Sequence, residues 1–146
     1  MIPKIILDTN FIIYCTKNKI DYVEELSNLT NENFEVIVPV QVIEELNKIT
    51  LKIKRKIPLL KRTPRFKKTT GKDKEAASLA LQIIEKKLGN NEIKKISIIG
   101  KNVDEALIIL AKENPRNIVC TLDKEMRKKL GRVILLNKEG RFILTR

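Results

Sequence analysis

Short apolar runs that break at a turn and hand over to a helix-period stretch constrain this chain more than any other feature. Ile5-Ile6-Leu7 halts at Asp8-Thr9-Asn10, Phe34 to Val38 halts at Pro39, and Ile118 to Thr121 halts just before Asp123. Runs this short and this apolar read as strands buried on both faces, as in a parallel sheet. Phe11 to Tyr14 reads as a first helical piece, and Asp21 with Glu24 opens a helix through Leu29. Val42, Leu46, Ile49 and Ile53 mark one face of a long helix, after which Pro58 and Pro64 interrupt the pattern. Asp73 to Leu88 predicts another helix, with Ala76, Leu79, Ala80, Ile83 and Ile84 inward and Gly89 just past its end. A weak strand, Lys95 to Ile99, ends at Gly100, and Asn102 with Glu105 caps a helix to Lys112. Lys124 to Leu130 is a short helix closed by Gly131, Val133 to Leu136 a last central strand, and Phe142 to Leu144 an edge strand. Strands alternating with helices predict an α/β fold whose parallel sheet is covered on both faces. Residues 1–146, with no internal repeat or linker, are expected to form a single domain. In such folds the working site lies beyond the carboxyl ends of the strands, where strand order reverses.

Composition limits the chemistry of that edge. The chain has no His, which removes imidazole-based nucleophile triads, the usual acid–base pair and most zinc sites. Cys15 and Cys120 stand far apart in apolar surroundings, so neither a disulfide framework nor a thiolate cluster is expected, and a reducing cytoplasm is the natural compartment. No apolar stretch approaches 18 residues, so no membrane span is expected.

Four carboxylates remain. Asp8 follows the first strand, Asp123 follows Ile118 to Thr121, Asp104 falls in the first turn after Asn102, and Glu44 and Glu45 lie one turn into the long helix. With Val42 at zero, the apolar stripe centres near 20°; Glu45 lies about 80° from it and Glu44 points away, so Glu45 is the candidate. Each acid also has a plain structural explanation. Asp8 and Asp123 suit helix N-caps, Asp104 complements a helix dipole, and Glu45 suits a half-exposed face. Together, however, all four are expected to gather at one sheet edge. Two unit charges about 5 Å apart repel by roughly 3 kcal/mol at an effective dielectric near 20, and a cation relieves this. Oxygen ligands without His or Cys select Mg²⁺ or Mn²⁺, which polarise a phosphoryl oxygen and acidify water, so the chemistry implied is phosphodiester hydrolysis.

The positive charge is equally localised. Residues 48–74 hold twelve Lys or Arg against Asp73 alone, and so carry +11 of the chain's +12. This segment reads as a basic arch or broken helix that guides a nucleic-acid strand. Lys54, Arg55, Lys56, Lys61, Arg62, Arg65, Lys67 and Lys68 would meet phosphates, and Phe66 would stack on an unpaired base. A solvated surface or heat adaptation is the competing explanation, but the remainder of the chain is close to neutral.

These features resemble the PIN-domain family of metal-dependent ribonucleases over nearly the whole chain. Ile5-Ile6-Leu7-Asp8-Thr9-Asn10 resembles its first motif, in which the Asp binds metal and the following Thr or Asn steadies the site. Val38-Pro39-Val40 leading to Val42-Ile43-Glu44-Glu45-Leu46 resembles the second, with Glu45 as the ligand. Val103-Asp104-Glu105-Ala106-Leu107-Ile108 and Val119-Cys120-Thr121-Leu122-Asp123-Lys124-Glu125-Met126 resemble the third and fourth. Leu122 departs from the fourth, which often carries a polar residue there.

The resemblance implies a three-layer α/β/α sandwich with strand order 3-2-1-4-5, and an endoribonuclease acting on single-stranded RNA with Mg²⁺ or Mn²⁺. Asp8, Glu45, Asp104 and Asp123 would hold the ion directly or through water, with Asn10 and Thr121 as donors behind them. Leu26-Ser27-Asn28-Leu29 and the helix from Lys72 to Ala77 look closer to the branch that processes rRNA; the VapC toxins are the rival. A homodimer and a ribosome-assembly or antitoxin partner follow from the same resemblance. The competing readings are a non-catalytic RNA-binding scaffold and a phospho-acceptor receiver domain. The first has no use for repelling acids beside RNA, and the second needs a paired acid where Thr9 and Asn10 stand.

RNA affinity is expected to fall with log salt at about −0.7 per phosphate contacted. Neutralising the cations from Lys54 to Arg62 should flatten that slope in a fluorescence-anisotropy titration. An unchanged slope places the RNA elsewhere.

Overall fold

The computed structural model of the chain describes residues 2–52 and 71–145. In chain order the elements are β1 (Lys4–Leu7), α1 (Thr9–Lys17), α2 (Tyr22–Leu29), β2 (Glu35–Pro39), α3 (Val40–Lys52), α4 (Gly71–Gly89) and β3 (Lys94–Ile96), then α5 (Val103–Lys112), β4 (Ile118–Cys120), α6 (Lys124–Leu130), β5 (Val133–Leu136) and β6 (Phe142–Leu144). The described strands form one mixed sheet in the order β3-β2-β1-β4-β5-β6. β1 to β5 are parallel, in the order the motifs imply, and β6 returns antiparallel along β5.

The sheet runs leftward from β1 through β2 to β3 and then crosses to β4 and β5. Right-handed crossovers in the two directions put their helices on opposite faces, giving three layers. β1 lies between β2 and β4, and Ile5, Ile6 and Leu7 are buried on both its faces, which is why that run shows no polar alternation. Phe11 of α1 meets Phe142 of β6 edge-to-face, with ring centroids 4.9 Å apart, closing the core under the antiparallel edge. Asn137 turns the chain into β6, its Oδ1 accepting from the Glu139 and Arg141 amides at 2.9 Å, with Gly140 at φ +77°. Among the described residues no helix is long and apolar enough to cross a membrane.

Several sequence expectations shift. β3 covers Lys94–Ile96 instead of Lys95 to Ile99, because Pro39 pairs with Ile96 and β2 offers no partner beyond it. In α4 the buried apolar residues are Ala76, Ala77, Ala80 and Ile84, while of those expected inward Ile83 is half-buried and Leu79 is 48% exposed. Alanines let α4 lie close against α1 and α3, so the bulkier Leu79 falls on the flank. Gly89 is the last helical residue, not the residue past the end. The left-handed position is Asn91 at φ +60°, where the Glu92 amide bonds to the Lys87 carbonyl and the Asn91 amide to that of Leu88. The first helical piece, read as Phe11 to Tyr14, extends over the whole of α1.

A buried amide ties the two sides of β1 together. Asn117 Oδ1 accepts from the Lys4 amide and its Nδ2 donates to the Leu110 carbonyl, each at 2.9 Å, joining the start of β1 to the end of α5. Asn117→Ala strands the Lys4 amide and leaves the Leu110 carbonyl with the Glu113 amide alone, and is expected to cost about 1–3 kcal/mol in urea denaturation. A loss under about 0.5 kcal/mol would show that water replaces both bonds.

Candidate functional site

Strand order reverses between β1 and β4, and the chain leaves both strands side by side. Leu7 is in register with Cys120, the Asp8 amide donates to the Cys120 carbonyl at 3.0 Å, and the Thr121 amide donates to the Ile134 carbonyl at 3.1 Å. Asp8 and Thr121 are thereby fixed on adjacent strand ends, 5% and 1% exposed. Thr121 Oγ1 donates to Asp8 Oδ2 at 2.6 Å and accepts from the Asp123 amide at 3.1 Å. One hydroxyl therefore connects two of the four acids singled out from the sequence.

The N-cap explanation accounts for those two acids unequally. Asp123 Oδ1 accepts from the Glu125 amide at 2.9 Å, two positions into α6, which is ordinary capping geometry. Asp21 caps α2 likewise, through the Val23 and Glu24 amides. Asp8 instead accepts from its immediate neighbour, the Thr9 amide, at 2.7 Å, and gives its other oxygen to Thr121 on a different strand. A cap has no need of that second bond or of such burial.

The other acids approach from two helices. Glu45, half-buried on α3, and Asp104, exposed in the first turn of α5, both act electrostatically on Asp8. Glu44 is exposed, as the helical-wheel reading requires. Burial, the largest effect, pushes the Asp8 carboxyl up, the Thr121 and Thr9 hydrogen bonds pull it back, and the charges of Glu45 and Asp104 push it up again, to about 6 in all. Cys120, next to Thr121, is fully enclosed, and burial raises its thiol well above the ordinary range, so it is no nucleophile. Cys15 is likewise pushed up to about 12, first by burial and then by the Glu25 charge.

Among the described residues, no three His, Cys, Asp or Glu side chains come close enough together to enclose a metal ion. The acids share an edge without closing on a common centre. Their chemistry still suits a hard cation: every donor is an oxygen, and Mg²⁺ keeps several of its waters while taking one or two carboxylates directly. Asn10 is exposed and its side chain makes no hydrogen bond among the described residues, whereas Thr9 is fully buried and its Oγ1 likewise finds no partner there. Gln41, absent from the motif reading, donates from Nε2 to the Ile98 and Gly100 carbonyls at 2.6 and 3.3 Å. Its one sequence signal is a position four residues before Glu45, on the same helix face. The proposed RNA contacts Lys54, Arg55, Lys56, Lys61, Arg62, Arg65, Phe66, Lys67 and Lys68 lie outside the described residues.

The Asp8 carboxyl carries a pH signature. Its folded value of about 6 exceeds the ordinary 3.8, so the folded state holds the proton more tightly, and stability falls as pH rises through that interval. The penalty is absent below the lower value and complete, at about 3 kcal/mol, above the upper one. In chelator, the melting temperature of Asp8→Asn relative to wild type is therefore expected to climb by several degrees between pH 4 and 7. A difference independent of pH would show that the carboxylate is not buried at a cost.

Residues 5–139 match the PIN-domain family. Ribonuclease VapC4 of Methanocaldococcus jannaschii is 35% identical over 127 residues, covering 87% of this chain and 82% of that protein. The structure of the PIN domain endonuclease Utp24 superposes with a TM-score of 0.68, covering 98% of this chain and 91% of the other; at 18% identity this is a likeness of fold. The family match starts within β1, ends in the turn before β6 and takes in all four acid-bearing motifs, so the chain belongs to the PIN-domain family.

Proposed function

We propose that this chain is a metal-dependent endoribonuclease of the VapC type, the toxin half of a toxin–antitoxin pair. The observation that carries the nuclease reading is the buried Asp8 carboxylate, held by Thr121 and facing the charges of Glu45 and Asp104. The toxin assignment replaces the rRNA-processing role suggested by Leu26-Ser27-Asn28-Leu29. It is supported by 35% identity to a ribonuclease VapC over most of both chains, whereas the Utp24 likeness speaks for fold alone.

Asp8, Glu45, Asp104 and Asp123 would hold Mg²⁺ or Mn²⁺, some of them through water. Bound there, the cation would polarise a phosphoryl oxygen and acidify an attacking water. Thr121 fixes the orientation of the Asp8 carboxylate by donating to Oδ2, and the Thr9 amide holds Oδ1. The Asp123 amide bond to the same hydroxyl keeps the end of β4 in step with the end of β1. The chain has no His, so no imidazole protonates the leaving oxygen. The cations of residues 48–74 are the proposed grip on single-stranded RNA, through phosphates more than bases. A homodimer and an antitoxin that covers the acidic edge complete the reading.

Purified protein incubated with labelled single-stranded RNA and Mn²⁺ tests it. Asp8→Asn is expected to lower the cleavage rate by about 100-fold or more, the equivalent of several kcal/mol of transition-state stabilisation. Equal cleavage by the two proteins would leave the scaffold reading standing. Induced expression in a bacterial host separates the roles. Wild type, but not Asp8→Asn, should arrest growth, and selective cutting of pre-rRNA without arrest would restore the processing role.

A further inference from the structure

The geometry points to Gln41 as a positioning residue that sets the spacing of Glu45 and Asp104 across Asp8, and with it the affinity of this edge for a divalent cation. This inference rests on the proposed metal-dependent reading and adds a residue that the acid motifs do not contain.

Glu45 and Asp104 reach Asp8 from two different helices, α3 and α5, which bury Val42, Leu46, Val103 and Leu107 in the core and carry the two acids outside it. α3 follows β2, and α5 is entered from the segment after β3, a three-residue strand at the edge of the sheet among the described residues. Beyond Ile96 that segment has no strand partner among the described residues, and Ile99 is 93% exposed. Ile98 packs against the core, and Gln41 Nε2 fixes the main chain on either side of Ile99 by donating to both the Ile98 and Gly100 carbonyls. From Gly100 the chain enters α5 at once. Asn102 Oδ1 accepts from the Glu105 amide and Glu105 Oε2 from the Lys101 amide, each at 2.9 Å, so the first turn carrying Asp104 is rigidly continuous with the clamped carbonyls. A Cβ on Gly100 would lie 3.3 Å from the Ala106 amide nitrogen, a close approach that leaves the segment little room to shift. At the other end of the clamp, Gln41 and Glu45 are four residues apart on one face of α3.

The side-chain chemistry suits this task. Two carbonyls require a donor, and an amide supplies one without adding charge beside the acids. A carboxylate of the same shape would turn acceptors toward acceptors. Gln41 Oε1 is buried with no partner among the described residues, so the amide is incompletely satisfied, as expected of a group retained for geometry more than for stability.

Two variants of the full chain test the role. Gln41→Met keeps the volume and removes the donor; Gln41→Glu keeps the shape and reverses the polarity. Mn²⁺ alone is titrated calorimetrically into wild type, both variants and Asp8→Asn, and the melting temperature of each metal-free protein is measured in parallel. Both Gln41 variants are expected to bind Mn²⁺ about 10–100-fold more weakly, the range for groups that orient metal ligands, while remaining folded. With saturating Mn²⁺, kcat on single-stranded RNA should fall while KM stays near its wild-type value. Wild-type Mn²⁺ affinity in a folded Gln41 variant, with binding abolished by Asp8→Asn, overturns the positioning role and leaves the nuclease reading intact. Mn²⁺ affinity lost only in proportion to lost fold, in both variants, also overturns it. Absence of Mn²⁺ binding by wild type, or equal binding by Asp8→Asn, overturns both.

Discussion

A single hydroxyl at the reversal of strand order holds the acid-bearing edge together. Thr121 Oγ1 donates to a carboxylate at the end of β1 and accepts an amide from the start of the turn into α6, so two strands and two helices meet on one oxygen. Around it the fold places a carboxylate that burial disfavours and other carboxylates oppose. A domain whose total stability is about 5–15 kcal/mol carries such a group only where the surrounding structure over-determines it. Here the strand register, the Thr9 amide and the Thr121 hydroxyl do so together.

How far the sequence revealed this depended on the kind of interaction. β5 and α6 match their readings residue for residue, because an apolar run ending at Asn137 and a helix closed by Gly131 are local signals. The sheet order came from the family resemblance, and β1 to β5 follow it. Where packing decided, the reading slipped. Leu79 looked inward by hydrophobicity, yet α4 is built on alanines, and close approach between helices is invisible in a hydropathy pattern. β3 stopped early because its partner strand ended, a fact about β2 and not about Lys94–Ile96.

The acids divide in the same way. The order of Asp8, Glu45, Asp104 and Asp123 along the chain was legible, as was the greater exposure of Glu44 than of Glu45. Their separate fates were not: Asp123 is an ordinary cap, Asp104 stands in the open, and only Asp8 is both buried and bound across strands. Gln41 was illegible for a plainer reason. Its partners are main-chain carbonyls some sixty positions on, and carbonyls carry no residue signature.

The two flanks of the sheet are dressed differently. On one, β3 shows exposed Lys94 and Lys95, the charged dressing that discourages strand addition. On the other, β6 turns Ile143 and Leu144 partly to solvent, with no strand beyond it among the described residues. Any self-association by backbone zippering is therefore open from one side and refused from the other. Fibre growth needs two receptive borders, so such contact would stop at two copies.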